Sequence, residues 1–166
     1  MTQPGFVLKC LGVPELRTRD GRIVRIRVKK HLALLVYLAV ERRRSHERAR
    51  LAELLWPDAP SDKARHSCAT ALSILRRVVG GSAFTTVRRA VRFTPGDFEL
   101  DLDRLEAGEL IGPGGEAIIE VDGFLRGFDI DDAPDFCMWK EREHVRRLPT
   151  IHAGLLTLID HGRRRG

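Results

Sequence analysis

The apolar and polar positions of this chain change period several times, and each change marks an element. Phe6 to Leu11 is apolar-rich and Gly12 closes it, which predicts a short strand. Glu15 to Thr18 is placed to pair back on it, and Asp20-Gly21 is a hairpin turn signal. Arg22 to Val28 then sets Ile23, Val24, Ile26 and Val28 against Arg22, Arg25 and Arg27. That pattern predicts a half-buried strand with a basic outer face.

The period then becomes helical. From Lys29 to Glu41 the apolar residues Leu32, Leu35, Val36 and Ala39 recur at helical spacing, and Arg42 to Arg44 follow as cations for the last turn. Ser45 is the candidate N-cap of a second, short helix with Leu51, Leu54 and Leu55 on its apolar face. Trp56-Pro57 stops it. A third helix is predicted from Ser61 to Val79, ended by Gly80 and Gly81. Ala64, Cys68, Ala71, Leu72, Leu75, Val78 and Val79 form its apolar face. The opposite face carries His66, Ala69, Thr70, Ser73 and Arg77, with Lys63, Arg65 and Arg76 on the flanks.

After the glycines the period is two. Phe84 to Val87 and Val91 to Phe93 read as paired strands around Arg88, Arg89 and Ala90, closed by Pro95-Gly96. Strands, three helices and a terminal hairpin, in that order, predict an α+β fold over residues 1–100: a winged helix-turn-helix with an N-terminal antiparallel sheet and a C-terminal wing hairpin. A small all-α segment is expected over residues 101–166. In it, Leu102 and Leu105 suggest a short helix, Gly112 to Gly115 a flexible linker, and Phe136 to Leu148 and Ile151 to Ile159 two helical patterns separated by Pro149. No internal repeat of solenoid period is present.

Charge sharpens the division. The net charge of +6 combines 20 Lys/Arg against 9 Asp/Glu up to Leu100 with 9 against 14 from Asp101 onward. A basic first part suits a polyanion partner, and an acidic second part suits a different task. Apolar residues make up 43% and charged residues 31%, a globular composition. No apolar run approaches the ~20 residues that span a bilayer, and Met1 to Gly5 lack the basic start of a secretion signal. Three dispersed cysteines, Cys10, Cys68 and Cys137, fit a reducing cytoplasm rather than a disulfide framework.

Few residues suggest chemistry other than binding. His66 and Cys68 are two apart on a helix and point to different faces, a poor metal pair. Asp129, Asp131, Asp132 and Asp135 lack the glycine and terminal glutamate of a calcium loop. There is no Walker loop, dinucleotide fingerprint or nucleophile–base signature, so no enzyme, cofactor, metal or small-molecule ligand is expected. The third helix is different. A helix that reads the major groove needs an apolar seat and short polar or basic residues outward. Ala69 and Ser73 permit close approach, Thr70 offers a methyl or a hydroxyl, and Arg76 and Arg77 reach phosphate or guanine. Arg88 and Arg89 at the hairpin tip are candidates for the phosphates or the minor groove. Lys30, Ser45, His46 and Arg48 are candidates for phosphate contact at helix N-termini.

The run Arg48-Ala-Arg-Leu-Ala-Glu-Leu-Leu-Trp-Pro-Asp58, then Asp62-Lys-Ala-Arg-His-Ser-Cys-Ala-Thr-Ala-Leu-Ser-Ile-Leu-Arg-Arg77, resembles the SARP family (Streptomyces antibiotic regulatory proteins), which shares the winged helix of OmpR-type regulators. Asp122 to Phe128 and Phe136 to Arg142 resemble the start of that family's bacterial transcriptional activation domain. The resemblance implies binding to direct repeats of double-stranded DNA near promoters, often as a homodimer, and recruitment of RNA polymerase. It also implies a helical, tetratricopeptide-like second part that continues past the equivalent of Gly166. Two positions depart from the pattern. The hairpin tip, usually glycine-rich, is Arg88-Arg89-Ala90, and Pro149 falls where the family runs a helix without a break. The competing expectation is a winged helix that binds a partner protein and no DNA.

Overall fold

The computed structural model describes residues 5–165. Among these residues, two small sheets and five α-helices form a mixed α+β fold. The first sheet joins β1 (Phe6–Lys9), β2 (Glu15–Thr18) and β6 (Phe98–Leu100) in the order β2-β1-β6. It is not wholly antiparallel as expected: β1 pairs antiparallel with β2 but parallel with β6. The three residues of β6 are too few to show a period, and their partner lies about ninety positions earlier in the chain.

The predicted strand from Arg22 to Val28 does not form. Only Ile23 makes an isolated bridge, to Arg17, and Val24 N donates to Leu16 O at 2.8 Å. The alternation survives without the ladder: Val24 and Ile26 pack on the core while Arg25 and Arg27 face solvent. A side-chain period of two needs only an extended backbone with one buried side; a strand also needs a partner.

Three helices follow: α1 (Lys29–Val40), α2 (Arg48–Leu55) and α3 (Ser61–Val79). Helix α1 ends before the arginines, which form a turn instead of its last coil. Arg42 Nη1 donates to Ala39 O at 3.1 Å, one of the carbonyls the helix leaves free. Ser45 does not cap α2, which begins three residues later with no side-chain cap. The intervening His46–Glu47 is β3, paired antiparallel with β5 (Ala90–Phe93). The sheet serves one free donor of that helix end, the Arg48 N–H, which bonds Arg89 O at 2.9 Å. Strand β5 also pairs with β4 (Phe84–Val87), giving the second sheet, order β3-β5-β4.

The segment after Leu100 holds α4 (Asp101–Ala107) and α5 (Pro134–Arg165). The consecutive helix pair of a tetratricopeptide unit is absent among the described residues. Between α4 and α5 the chain runs without regular structure, and Leu11↔Phe124 and Ile111↔Ala117 are isolated bridges. Gly112 to Gly115 is an ordered turn rather than a flexible linker: Gly115 O accepts from His161 Nε2 at 2.8 Å and from Arg165. Pro149 does not divide α5. Its ring lies on the exposed side of the helix, and the Val145 carbonyl it cannot bond is on a residue 63% exposed, where water can reach it.

One contiguous apolar core runs from Phe6 to Ile151 and includes residues of α1, α2, α3, α4 and α5. The buried Asp101 carboxylate closes the junction between the first sheet and α4. It accepts from Cys10 N at 2.8 Å and Leu11 N at 2.9 Å, capping the open end of β1.

Candidate nucleic-acid interface

Helix α3 seats itself through Ala64, Cys68, Ala71, Leu72, Leu75 and Val79, all buried. Burial raises the Cys68 thiol to about 11, so it stays protonated and belongs to the packing. The small alanines let α3 lie close against α2. Outward, at ~100° per residue, His66, Thr70, Ser73 and Arg77 fall within a strip about 60° wide, and all four are exposed. Ala69 and Lys63 border the strip and are exposed too. Arg65 and Arg76 lie together on one flank.

That flank faces the hairpin. Arg76 Nη2 donates to Thr86 Oγ1 of β4 at 2.7 Å, so Arg76 bridges helix and hairpin instead of pointing free into solvent. The hairpin turns through Arg88 and Arg89, with Val87 paired to Ala90. Arg88 takes φ 55°, the left-handed region that glycine or asparagine enters most easily. The departure at the tip therefore leaves the hairpin intact and places an arginine under local strain. Both tip arginines are exposed. The tip is held from behind, since Arg48 N donates to Arg89 O at 2.9 Å.

The helix N-terminal candidates differ in what they contact. His46 is half-buried; its Nε2 lies 3.0 Å from Glu41 O and its ring meets Tyr37 edge-on. Arg48 is half-buried, with Nε enclosed and without a partner among the described residues. Lys30 donates to Asp132 at 2.7 Å and lies over the Trp56 ring, and neighbouring Lys29 lies over Phe128. These contacts offset two cations at the positive end of α1. Ser45 is exposed and lines a shallow groove with Arg42, Arg43 and Arg92 on the outer side of the second sheet. Thus His66, Thr70, Ser73, Arg77, Lys63, Arg65, Arg88, Arg89 and Ser45 remain open, Lys30, His46 and Arg76 make contacts within the protein, and Arg48 is half-buried without a side-chain partner among the described residues.

The acidic second part pairs with three cations of the first. Glu120 pairs with Lys9 at 3.0 Å, Asp132 with Lys30 at 2.7 Å and Asp103 with Arg42 at 2.5 Å. Among the described residues, none of Lys63, Arg65, Arg77, Arg88 and Arg89 has a carboxylate within 4.0 Å. The second part thus offsets charge at Lys9, Lys30 and Arg42, whereas α3 and the hairpin tip stay uncompensated among the described residues, as do exposed Arg25, Arg27 and Arg43. Sequence reading missed Thr86, because a threonine in a strand carries no mark of the arginine ten residues earlier that will reach it. It also missed Asp101, an acid in the first turn of α4 whose partners just past β1, Cys10 and Leu11, are remote in sequence.

No group of three or more His, Cys, Asp or Glu among the described residues is arranged to hold a metal ion, and no helix there is long and apolar enough to cross a membrane. No protein-family model matches the chain, and no curated protein sequence matches it. A solved structure does: Mycobacterium tuberculosis EmbR in complex with a low affinity phosphopeptide, with a TM-score of 0.54 and 25% sequence identity. The match covers 63% of this chain, and the chain spans 29% of the EmbR chain. EmbR is a SARP-family regulator, and the likeness, together with the three helices and arginine-tipped hairpin described above, supports a SARP-like winged-helix fold of the transcription-regulator type.

Proposed function

We propose that this chain is a sequence-specific regulator of transcription that binds double-stranded DNA and is not an enzyme. The observation that carries the reading is the exposed, uncompensated strip of α3 beside the arginine-tipped hairpin. In this reading α3 enters the major groove. His66, Thr70, Ser73 and Arg77 meet base edges, Lys63 and Arg65 meet phosphates, and Arg88 and Arg89 follow the backbone or the minor groove. Residues 1–100 form the DNA-binding unit and residues 101–166 the start of an activation region. Exposed Met138, Val145, Leu156 and Ile159 on α5 favour a protein contact there, which in an activator is RNA polymerase. Binding to direct repeats as a homodimer and residence in the cytoplasm belong to the same proposal.

DNA selected from a random library, then titrated against the whole chain at several salt concentrations, tests it. Affinity falls steeply with salt, and Arg77→Ala costs roughly 1–3 kcal/mol. Unchanged affinity in both Arg77→Ala and Thr70→Ala overturns the assignment of α3. The second reading, a winged helix that binds only protein, predicts no DNA complex even at low salt.

A further inference from the structure

We propose that Arg76 is a positioning residue, not a phosphate contact: through Thr86 it fixes the distance between the recognition helix and the wing. The inference rests on the DNA-binding reading and deepens it. Arg76 sits in the last turn of α3 with a half-buried side chain, and its Nη2 reaches Thr86 Oγ1 at 2.7 Å. Thr86 pairs with Val91, which is fully buried, so the strand position that accepts the bond is anchored in the core. The next residues, Val87 to Ala90, are the turn that carries Arg88 and Arg89. Two further ties hold the same turn from the other side: Arg48 N to Arg89 O at 2.9 Å, and the β3 pairing of Glu47 with Ala90.

The geometry therefore clamps the wing at three points, two of backbone and one of side chain. The backbone ties fix the wing against α2. Only Arg76 among these fixes it against α3, the element that enters the groove. A duplex presents its major groove and the adjoining backbone at a set separation, so a wing free to swing gives up the gain from engaging both at once. A charged donor on a neutral acceptor makes a bond stronger than a neutral pair, which favours it although Thr86 is exposed.

The whole chain, a selected duplex and an unrelated duplex of equal length provide the test. Thr86→Val removes the acceptor, keeps the β-branched shape and leaves the Arg76 charge in place. Thr86→Ser keeps the hydroxyl. The expected result is a roughly 5- to 10-fold loss of affinity for the selected duplex in Thr86→Val, with a salt slope equal to that of the wild type. Thr86→Ser restores wild-type binding. Arg76→Ala produces the same loss, also without a change of slope, and adds nothing in the Thr86→Val background. Affinity for the unrelated duplex stays unchanged in all of them. Circular dichroism melts confirm that the variants are folded, with Thr86→Ala taking the place of Thr86→Val if the valine disturbs the strand.

The proposal is overturned if Thr86→Val binds like the wild type while Arg76→Ala lowers the salt slope by about one, the mark of a lost phosphate contact. Additive losses in the double variant overturn it as well. If the wild type binds no DNA at low salt, the DNA-binding reading itself fails and takes this inference with it, whereas normal wild-type binding with an indifferent Thr86→Val removes the inference alone.

Discussion

Trp139 of α5 donates its indole N–H to Glu41 Oε1 at the end of α1, at 2.9 Å, with Tyr37 packed edge-on at 4.9 Å. Burial alone would raise the Glu41 carboxyl, but the bonds from Arg44 and Trp139 outweigh it and hold the group below its ordinary value. The ring also meets Phe124 and Phe136. A side chain from the acidic part is thus built into the core of the basic part.

From this relationship, the two parts should unfold together. The chain has two tryptophans, Trp56 after α2 and Trp139 in α5, one in each part. Trp139→Phe and Trp56→Phe leave one reporter apiece, and each protein should show one transition when followed both by its own fluorescence and by circular dichroism. Trp139→Phe should cost about 1–2 kcal/mol for the lost bond, and Trp139→Ala about 3–5 kcal/mol. Fluorescence and circular dichroism midpoints that separate within one protein would show that the parts unfold independently.

Asp101 should give the fold an unusual acid dependence. Burial raises its carboxyl to about 6, against the opposing pull of the Leu11, Cys10 and Leu102 backbone N–H groups. The folded state therefore holds this proton more tightly than the unfolded state, for which the reference value is 3.8. The stabilisation from that proton is fully present below about pH 4 and is lost as pH rises through about 6, amounting to about 3 kcal/mol at most. Asp101→Asn cannot titrate, so chemical unfolding of both proteins across this range isolates the effect. The stability of the wild type relative to the variant should fall as pH rises; a relative stability that increases with pH would place the folded value below 3.8 and refute the assignment.

At the hairpin tip, stability and binding should move in opposite directions. Arg88 holds φ 55° at a cost that glycine avoids. Arg88→Gly should stabilise the fold by about 0.5–1 kcal/mol net of glycine's greater freedom when unfolded, and should lower the salt slope of DNA binding by about one. Arg88→Ala should lose the same contact without the stabilisation. A tip that gains no stability from glycine would mean that the turn carries no strain.

Pro149 should be a removable flaw. Restoring the N–H in Pro149→Ala lets the Val145 carbonyl be bonded within α5, and the exposed site has room for the change. Thermal or denaturant unfolding should show a gain of about 1–3 kcal/mol, with DNA affinity unchanged. A loss of stability would mean that α5 gains more from the fixed backbone of the proline than from the restored hydrogen bond.

Much of this was legible in the sequence because it is local. The apolar stripe from Ala64 to Val79, the stop at Trp56-Pro57 and Gly80, and the strands flanking Arg88-Arg89 follow from side-chain period and backbone preference, which neighbouring residues decide among themselves. The exposed polar strip of α3 followed from the same periodicity. Tertiary structure decided what depends on partners distant in sequence. Val24 and Ile26 alternate like a strand yet lack a ladder, because pairing needs a neighbour that no pattern within the segment can specify. Phe98 to Leu100 became a strand only because β1 was there to receive it, and Asp101 became a clamp only because the end of β1 had unpaired N–H groups. The division among the cations was decided the same way. Lys30, Arg76 and Arg77 read alike as basic residues beside a helix terminus, but Asp132 and Thr86 claim the first two across the fold and leave Arg77 open. The sequence by itself determined which faces exist; long-range contacts determined which charges remain on them.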